Sequence, residues 1–195
     1  MRIFLAGASG VIGVRLIPLL VSAGHVVAGM TRTAAREPAL RALGAEPVVC
    51  DVYDLPALTA AVAAFAPELV MHQLTDLPDD AAQVASLSGR NDRMLIEGTS
   101  NLLAAAHAAG VTRFVAQSIA WEPAPERAAR RRIFERSVLD AGGVVLRYGQ
   151  FYGPDTYFPH ELPPDPRVQI DEAARRTVDL LDASPGVHEI VDGLT

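Results

Sequence analysis

Short apolar runs alternate with segments of helical spacing along the whole chain. Strand-like runs occupy residues 2–6, 25–30, 46–50, 68–74, 113–118, 144–148 and 187–191, and helical spacing occupies 11–23, 34–43, 55–65, 92–109, 126–141 and 171–183. Strict alternation of strands and helices is typical of parallel βαβ units, in which helices cover both faces of one sheet. The pattern therefore predicts an α/β protein with a doubly wound parallel sheet of about seven strands.

One stretch shows neither period. Residues 153–167 carry five prolines, and proline interrupts both helices and central strands. We expect a proline-rich loop there, lying over the site at the sheet edge and leaving a reduced C-terminal substrate region. The length of 195 residues favours a single domain spanning 1–195.

A glycine-rich turn follows the first predicted strand and opens the first predicted helix. It reads Gly7-Ala8-Ser9-Gly10-Val11-Ile12-Gly13. Gly7 permits a sharp turn, Gly10 lets the backbone approach a pyrophosphate, and Gly13 lets the helix pack closely on the sheet. The amide groups of the helix N-terminus then face the phosphates. In this strand–turn–helix context the motif predicts a Rossmann-type dinucleotide site.

The end of the second predicted strand indicates which dinucleotide is preferred. A carboxylate there would accept the ribose hydroxyls of NAD(H), whereas an arginine favours the additional phosphate of NADP(H). The chain has Thr31 and Arg32 at this point, followed by Arg36, and the first carboxylate is Glu37. We therefore expect NADP(H) to be preferred, with NAD(H) as the alternative, and Thr31, Arg32 and Arg36 to be contacts. An ordinary surface position for Arg32 is the competing interpretation.

Asp51 and Val52 follow the third predicted strand. Their position is suited to contact with the adenine edge of a dinucleotide. A carboxylate at this point could equally cap the next helix, so the sequence leaves both roles open for Asp51.

Composition excludes several classes of function for this chain. The formal net charge of −6 argues against a nucleic-acid surface, and Cys50 is the only cysteine, so neither an internal disulfide nor a cysteine zinc site can form. No Asp, Glu and His cluster has metal-ligand spacing, and the apolar runs are too interrupted for a membrane span. We expect a cytoplasmic protein that takes a small-molecule substrate, with no metal and no nucleic-acid or membrane partner. A homodimer is left open.

Several segments, taken in order, resemble the atypical or extended short-chain dehydrogenase/reductases, the group that is similar to NAD-dependent epimerases and dehydratases. They are the glycine turn, CDVYD at 50–54, VMHQLT at 70–75, EGTSNLL at 97–103, RFVAQS at 113–118, LRYGQFYGP at 146–154 and VQIDEAA at 168–174. The resemblance covers nearly the whole chain. It implies that Leu74, Thr75 and Gln117 lie beside the cofactor. It also implies that Ser118 is the catalytic serine that holds a substrate oxygen, with capping of the strand end as the other interpretation.

The chain departs from this family at the proton donor. The family uses a tyrosine followed four residues later by a lysine, which lowers the tyrosine pKa and holds the nicotinamide ribose. No tyrosine lies between Ser118 and Tyr148, and all 17 basic residues are arginine. The best register puts Arg131 at the lysine position, where it could bind ribose hydroxyls but not relay a proton. Tyr148, Tyr152 and, from the proline-rich loop, Tyr157 are therefore the candidate donors, although packing is the commoner role of such side chains.

Three functions remain open from the sequence. The first is an NADP(H)-dependent oxidoreductase or epimerase that acts on a small organic molecule through a non-standard site. The second is a non-catalytic NADP(H) sensor or regulatory subunit. The third is a cyclase, dehydratase or isomerase that keeps the fold without redox chemistry.

Overall fold

Seven parallel strands form the central sheet of the computed structural model, which describes residues 1–78, 80, 83 and 88–193. The strands in chain order are β1 Arg2–Ala6, β2 Val26–Thr31, β3 Glu46–Val49, β4 Leu69–His72, β5 Arg113–Ile119, β6 Val144–Tyr148, β7 Gln150–Tyr152, β8 Arg167–Gln169 and β9 Gly186–Ile190. Their order across the sheet is β3-β2-β1-β4-β5-β6-β9, and β7 pairs with β8 in a separate small sheet. The predicted doubly wound parallel sheet is confirmed.

Helices connect the strands. They are α1 Gly13–Ser22, α2 Glu37–Ala42, α3 Leu55–Phe65, α4 Ser88–Arg93, α5 Thr99–Ala108, α6 Pro125–Asp140 and α7 Ile170–Asp179. A 3-10 turn at Ala34–Arg36 precedes α2, and a π-helical segment at Met94–Gly98 joins α4 to α5. Across the described ranges, no helix combines the length and the apolar character that crossing a membrane requires.

Alternation along the strands divides the apolar core between the two faces of the sheet. In β6, Val144, Leu146 and Tyr148 belong to the cluster that packs against α1 and α7, whereas Val145 belongs to the cluster beneath α3, α5 and α6. Successive side chains of a strand point to opposite faces, so the order of residues decides which helical layer each one meets. The same rule places Ser118 on the face of Phe114 and Ala116, toward α6.

One helix and two strands differ from the sequence prediction. The helix predicted over 92–109 is divided by the π-helical segment, whose wider turn has no signature in apolar spacing. The strands β7 and β8 were not predicted, because three-residue strands are too short to show a period. The stretch from residue 153 to 166 is irregular, as expected, although Arg167 at its predicted end already belongs to β8. The assignment of residues 1–195 to one domain stays a prediction.

Candidate functional site

The parallel order brings the carboxyl ends of all seven strands to one edge of the sheet. Chain order reverses between β1 and β4, which lie side by side in the centre with Ala6 paired to His72. Ligands of open α/β sheets bind in the crevice at such a switch point. The glycine turn after β1 lies in this crevice, with the loop after β2 on one side and the loop after β4 on the other.

The three glycines of the turn have different physical constraints. Gly7 has φ of +93°, and a Cβ there would lie 2.4 Å from the carbonyl oxygen of Gln73. A Cβ on Gly13 would lie 2.3 Å from the carbonyl oxygen of Gly7. Gly10 is exposed, and a Cβ there would meet only the Gly7 carbonyl oxygen, at 3.3 Å. The fold itself therefore requires Gly7 and Gly13, whereas Gly10 leaves open space of the kind that a pyrophosphate needs.

The rest of the turn is held against β2. The amide of Ala8 donates to the carbonyl of Met30 at 3.2 Å, and the Ser9 and Thr31 hydroxyls lie 3.3 Å apart. Val11 is partly buried and Ile12 is buried. Among the described residues, no side chain caps the first turn of α1, and that turn holds no acidic residue. The amides of Val14 and Arg15 donate to the carbonyls of Gly10 and Ile12, both at 3.1 Å. Within the part of the chain that the structure describes, the amides of Val11 and Ile12 make no such backbone bond, so these two remain available to an anion.

The cation predicted at the end of β2 has a partner from another loop. Arg32 is exposed, and its Nη2 atom lies 3.5 Å from Oδ1 of Asp76, in the loop after β4. Arg36 is also exposed, at the end of the 3-10 turn. Arg32 therefore faces the cofactor crevice from the β2 side, and Asp76 faces it from the β4 side.

The structure separates the two interpretations of Asp51. Asp54 caps α3, since its side chain accepts from the amide of Ala57 at 3.1 Å. Asp51 is exposed and accepts from the amide of Tyr53 at 3.0 Å. Val52 is buried, and its carbonyl accepts from the side chain of Asn101 at 3.0 Å. Because Asp54 is the helix cap, Asp51 does not have the capping role, and its contact with the adenine edge stays a prediction.

The end of β4 combines a buried histidine with a buried amide. His72 Nδ1 accepts from the amide of Leu74 at 3.2 Å, so Nε2 carries the proton and donates to Thr99 at 2.9 Å. Burial lowers the pKa of His72 to about 4, which keeps the ring neutral and gives it a structural role. Next to it, Oε1 of the buried Gln73 has no hydrogen-bond partner among the described residues. Leu74 is partly buried and Thr75 is exposed at the crevice.

Ser118 is bound to a carboxylate on α6. The Ser118 side chain is largely shielded, with 8% of the residue exposed, and its hydroxyl donates to Oε1 of Glu135 at 2.6 Å. Arg147 donates to both oxygens of the same carboxylate, at 2.9 and 2.6 Å. Burial raises the pKa of Glu135, but the hydrogen bonds from Arg147 and Ser118 outweigh it and leave the pKa below its ordinary value. The Ser118 hydroxyl therefore already donates its hydrogen bond to the ionised Glu135 carboxylate, and it cannot donate the same proton to a substrate oxygen.

Two of the tyrosines predicted as proton donors, Tyr148 and Tyr152, lie in different surroundings. Tyr148 is 2% exposed, and its hydroxyl donates to Thr177, whose own hydroxyl donates to the carbonyl of Ala173. Burial raises the pKa of Tyr148 to about 12. Tyr152 is partly exposed, and burial together with a hydrogen bond to Asp192 raises its pKa. Both phenols are weaker acids than a free tyrosine, and Tyr148 packs in the core out of reach of a substrate.

Arg131 supports a loop, which differs from the ribose contact that the resemblance implied. Its guanidinium donates to the carbonyl of Trp121 at 2.7 Å and to the carboxylate of Glu122 at 2.6 Å. With two of its donors engaged and 9% of the residue exposed, Arg131 fixes the segment after β5. Gln117 is partly buried near the end of β5, on the opposite face from Ser118.

The proline-rich loop is fastened on two sides of the crevice. Arg15, on α1, donates to the carbonyl of Pro154 at 2.8 Å and to the carboxylates of Asp155 and Asp171 at 3.0 and 2.8 Å. The Tyr157 hydroxyl donates to the carbonyl of Pro78, in the loop after β4. These contacts hold the loop between α1 and the β4 side of the crevice.

Sequence reasoning missed several residues of this region. The main ones are Glu135, Asp76 and Arg90, an arginine on α4 that donates to Asp76 at 2.8 Å. Their partners are distant in sequence, and no spacing connects them. For Glu135 a signal was available, since strand alternation turns Ser118 toward the helix that follows β5. Most of the residues predicted to bind the cofactor meet at the carboxyl edge of the sheet, in an arrangement that fits a dinucleotide. They are residues 7–13, Thr31, Arg32, Asp51, Val52, Leu74 and Thr75.

Comparison with known proteins agrees with this geometry. A family model described as NAD(P)H-binding matches residues 7–138. A 3-diazoavenalumate denitrifying reductase from a Streptomyces species is 38% identical over 187 residues, a match that covers 80% of this chain and 58% of that reductase. The chain thus spans somewhat more than half the length of that relative.

Solved structures of similar fold include complexes with NAD. The UDP-glucose 4-epimerase of Thermus thermophilus, in complex with NAD, superposes with a TM-score of 0.80 at 21% identity, covering 100% of this chain and 78% of the epimerase. A Bacillus halodurans protein assigned to the NAD-dependent epimerases and dehydratases gives a TM-score of 0.79 at 20% identity, with coverage of 100% and 95%. The predicted resemblance is confirmed: the chain belongs to the NAD(P)H-binding family and has the fold of the NAD-dependent epimerases and dehydratases.

Proposed function

We propose that the protein is an NADP(H)-preferring reductase that gives a hydride to an electrophilic small molecule and donates no proton to it. The observation that carries this proposal is the state of the groups expected to supply the proton. The Ser118 hydroxyl is held by Glu135 at 2.6 Å, the Tyr148 hydroxyl is buried, and Arg131 is bound to Trp121 and Glu122. The pKa of Tyr152 is raised as well.

The choice of substrate class follows from the balance of the reaction. The bound nicotinamide cofactor supplies a hydride. Reduction of a carbonyl by a hydride leaves an alkoxide that must be protonated, and acid help at that step is worth about 10²–10⁴-fold. Reduction of an aryl diazonium ion by one hydride breaks the carbon–nitrogen bond and yields an arene and N₂, with charge balanced and no proton taken up. A site without an acid is suited to the second reaction.

The Streptomyces relative supports the same class. Its name describes a reductase that removes nitrogen from a diazo compound. We extend that chemistry to this chain as an aryl diazo or diazonium substrate. The chain's own residues would contribute binding and orientation: the turn of residues 7–13 holds the pyrophosphate, and the loop fastened by Arg15 excludes water from the crevice.

A matched substrate pair tests the proposal. We would compare 4-methoxybenzenediazonium with 4-methoxybenzaldehyde, which share the ring and differ in the group that receives the hydride. NADPH absorbance gives the rate, and chromatography gives the arene formed per NADPH consumed. Reactions without protein measure the uncatalysed reduction of the diazonium ion.

The expected result is protein-dependent formation of one methoxybenzene per NADPH, at least about 10²-fold faster than reduction of the aldehyde. Faster turnover of the aldehyde would contradict the proposal, because it would require an acid in the site. Tight NADPH binding without turnover of either compound would favour the sensor function instead.

A further inference from the structure

A second arginine lies beside Arg32 at the edge of the cofactor crevice. Arg90, on α4, donates to both carboxylate oxygens of Asp76, at 2.8 and 3.3 Å. Asp76 Oδ1 also lies 3.5 Å from Arg32 Nη2, so one oxygen atom is shared by two guanidinium groups that come from opposite sides of the crevice. The cluster of Arg32, Asp76 and Arg90 carries a net charge of +1.

The carboxylate of the cluster is buried, whereas its two guanidinium groups are exposed. The Asp76 side chain is 11% exposed, whereas those of Arg32 and Arg90 are 45% and 56% exposed. The amide of Asp76 donates to the side chain of Asn91 at 3.1 Å, which ties the loop after β4 to α4. The carboxylate is therefore fixed at the base of the cluster, and the guanidinium groups reach solvent above it.

We propose that Arg90 is a second ligand of the ribose phosphate of NADP(H), and that Asp76 competes with this phosphate for both arginines. The inference rests on the proposed NADP(H) preference, which the sequence attributes to Arg32 and secondarily to Arg36. A phosphate at the end of β2 would meet two guanidinium groups already converged on one carboxylate. Arg90 lies 2.8 Å from it, the distance of a charge-assisted hydrogen bond, and Arg32 lies 3.5 Å from it. Asp76 pre-positions the pair and at the same time lowers its affinity for a second anion.

Arginine-to-glutamine variants test the assignment, with dissociation constants measured by calorimetry for NADPH and NADH on the intact protein. Arg90→Gln should weaken NADPH binding about tenfold, comparable to Arg32→Gln, and leave NADH binding unchanged. Arg130→Gln is the matched control, because Arg130 is a similarly exposed arginine that pairs with Asp92 at 2.8 Å. It should change neither constant.

The variant Asp76→Asn provides a test in the opposite direction. It removes the competing charge but keeps a hydrogen-bond acceptor, so NADPH should bind several times more tightly while NADH does not. Misfolding cannot produce a selective gain of affinity.

The outcomes separate this inference from the proposed function. Weakened NADPH binding in Arg32→Gln together with unchanged binding in Arg90→Gln would overturn the role of Arg90 and keep the phosphate preference. Unchanged or weaker NADPH binding in Asp76→Asn would overturn the competition. A native protein that binds NADH more tightly than NADPH would remove the preference itself.

Discussion

The contrast between Gly10 and Gly13 gives a direct test of the cofactor site. A methyl group on Gly10 would contact only the carbonyl oxygen of Gly7, at 3.3 Å, so Gly10→Ala should leave the free energy of unfolding within about 0.5 kcal/mol of the native value. The same methyl group lies where the backbone must approach the pyrophosphate. Overpacking of this kind costs about 1–3 kcal/mol, which corresponds to roughly 5- to 150-fold weaker NADPH binding.

Gly13→Ala is the matched comparison, because it adds the same methyl group three residues later. There the Cβ would lie 2.3 Å from the carbonyl oxygen of Gly7 and 2.7 Å from that of Ala8, and both are backbone atoms that must move. We expect a loss of about 1–3 kcal/mol of stability or more, seen as a fall of several degrees in the unfolding temperature.

Calorimetric titration with NADPH and thermal unfolding of both variants provide the measurements. Wild-type NADPH affinity in a folded Gly10→Ala protein would refute the placement of the pyrophosphate at this turn.

Three further expectations concern the residues around the site. The pKa of His72 is about 4 in the folded protein and 6.5 in the unfolded chain, so the unfolded chain binds the extra proton as pH falls. The free energy of unfolding should therefore fall by up to about 3 kcal/mol between about pH 6.5 and pH 4. Urea titrations in which the free energy of unfolding shows no such slope above about pH 5 would contradict this. Glu135→Ala should cost about 3–5 kcal/mol, because it leaves the partly buried Arg147 without its partner; a loss below 1 kcal/mol in urea unfolding would refute the pairing. Arg15→Ala should speed proteolytic cleavage within residues 153–166 relative to native protein, and an unchanged cleavage rate would argue against the fastening contacts.

Much of the fold was predictable because its signals are local. The glycine turn, the span of β1 and the start and end of α3 follow from residue type and period alone. The roles of Tyr148 and Ser118 were harder to predict from the sequence, although the alternation of side chains along their strands indicates which face each one lies on. Tyr148 shares its face with Val144 and Leu146, which already indicates a core position rather than one open to substrate.

The cluster of Arg32, Asp76 and Arg90 could not have been predicted in the same way. Arg32 comes from the loop after β2, Asp76 from the loop after β4 and Arg90 from α4, so two of the three side chains belong to irregular segments. Apolar period defines which face of a strand or helix is buried, but it carries no information about the path of a loop. Contacts of this kind follow only from the three-dimensional arrangement.

The pH dependence of reduction offers a last test of a site that donates no proton. An enzyme acid that protonates the product makes the rate fall as pH rises through its pKa. Here burial raises the pKa of Tyr148 to about 12, and Tyr152 is shifted upward too, so neither phenol titrates near neutrality. We therefore expect kcat/KM for 4-methoxybenzenediazonium to be constant within about twofold between about pH 6 and pH 7.5, and to be unaffected by Tyr152→Phe. A phenol with a raised pKa stays protonated over this range, so loss of activity in Tyr152→Phe would identify Tyr152 as the acid even with a flat profile. A rate that falls tenfold per pH unit would reveal an acid other than these phenols, and either result would reject the proton-independent reaction.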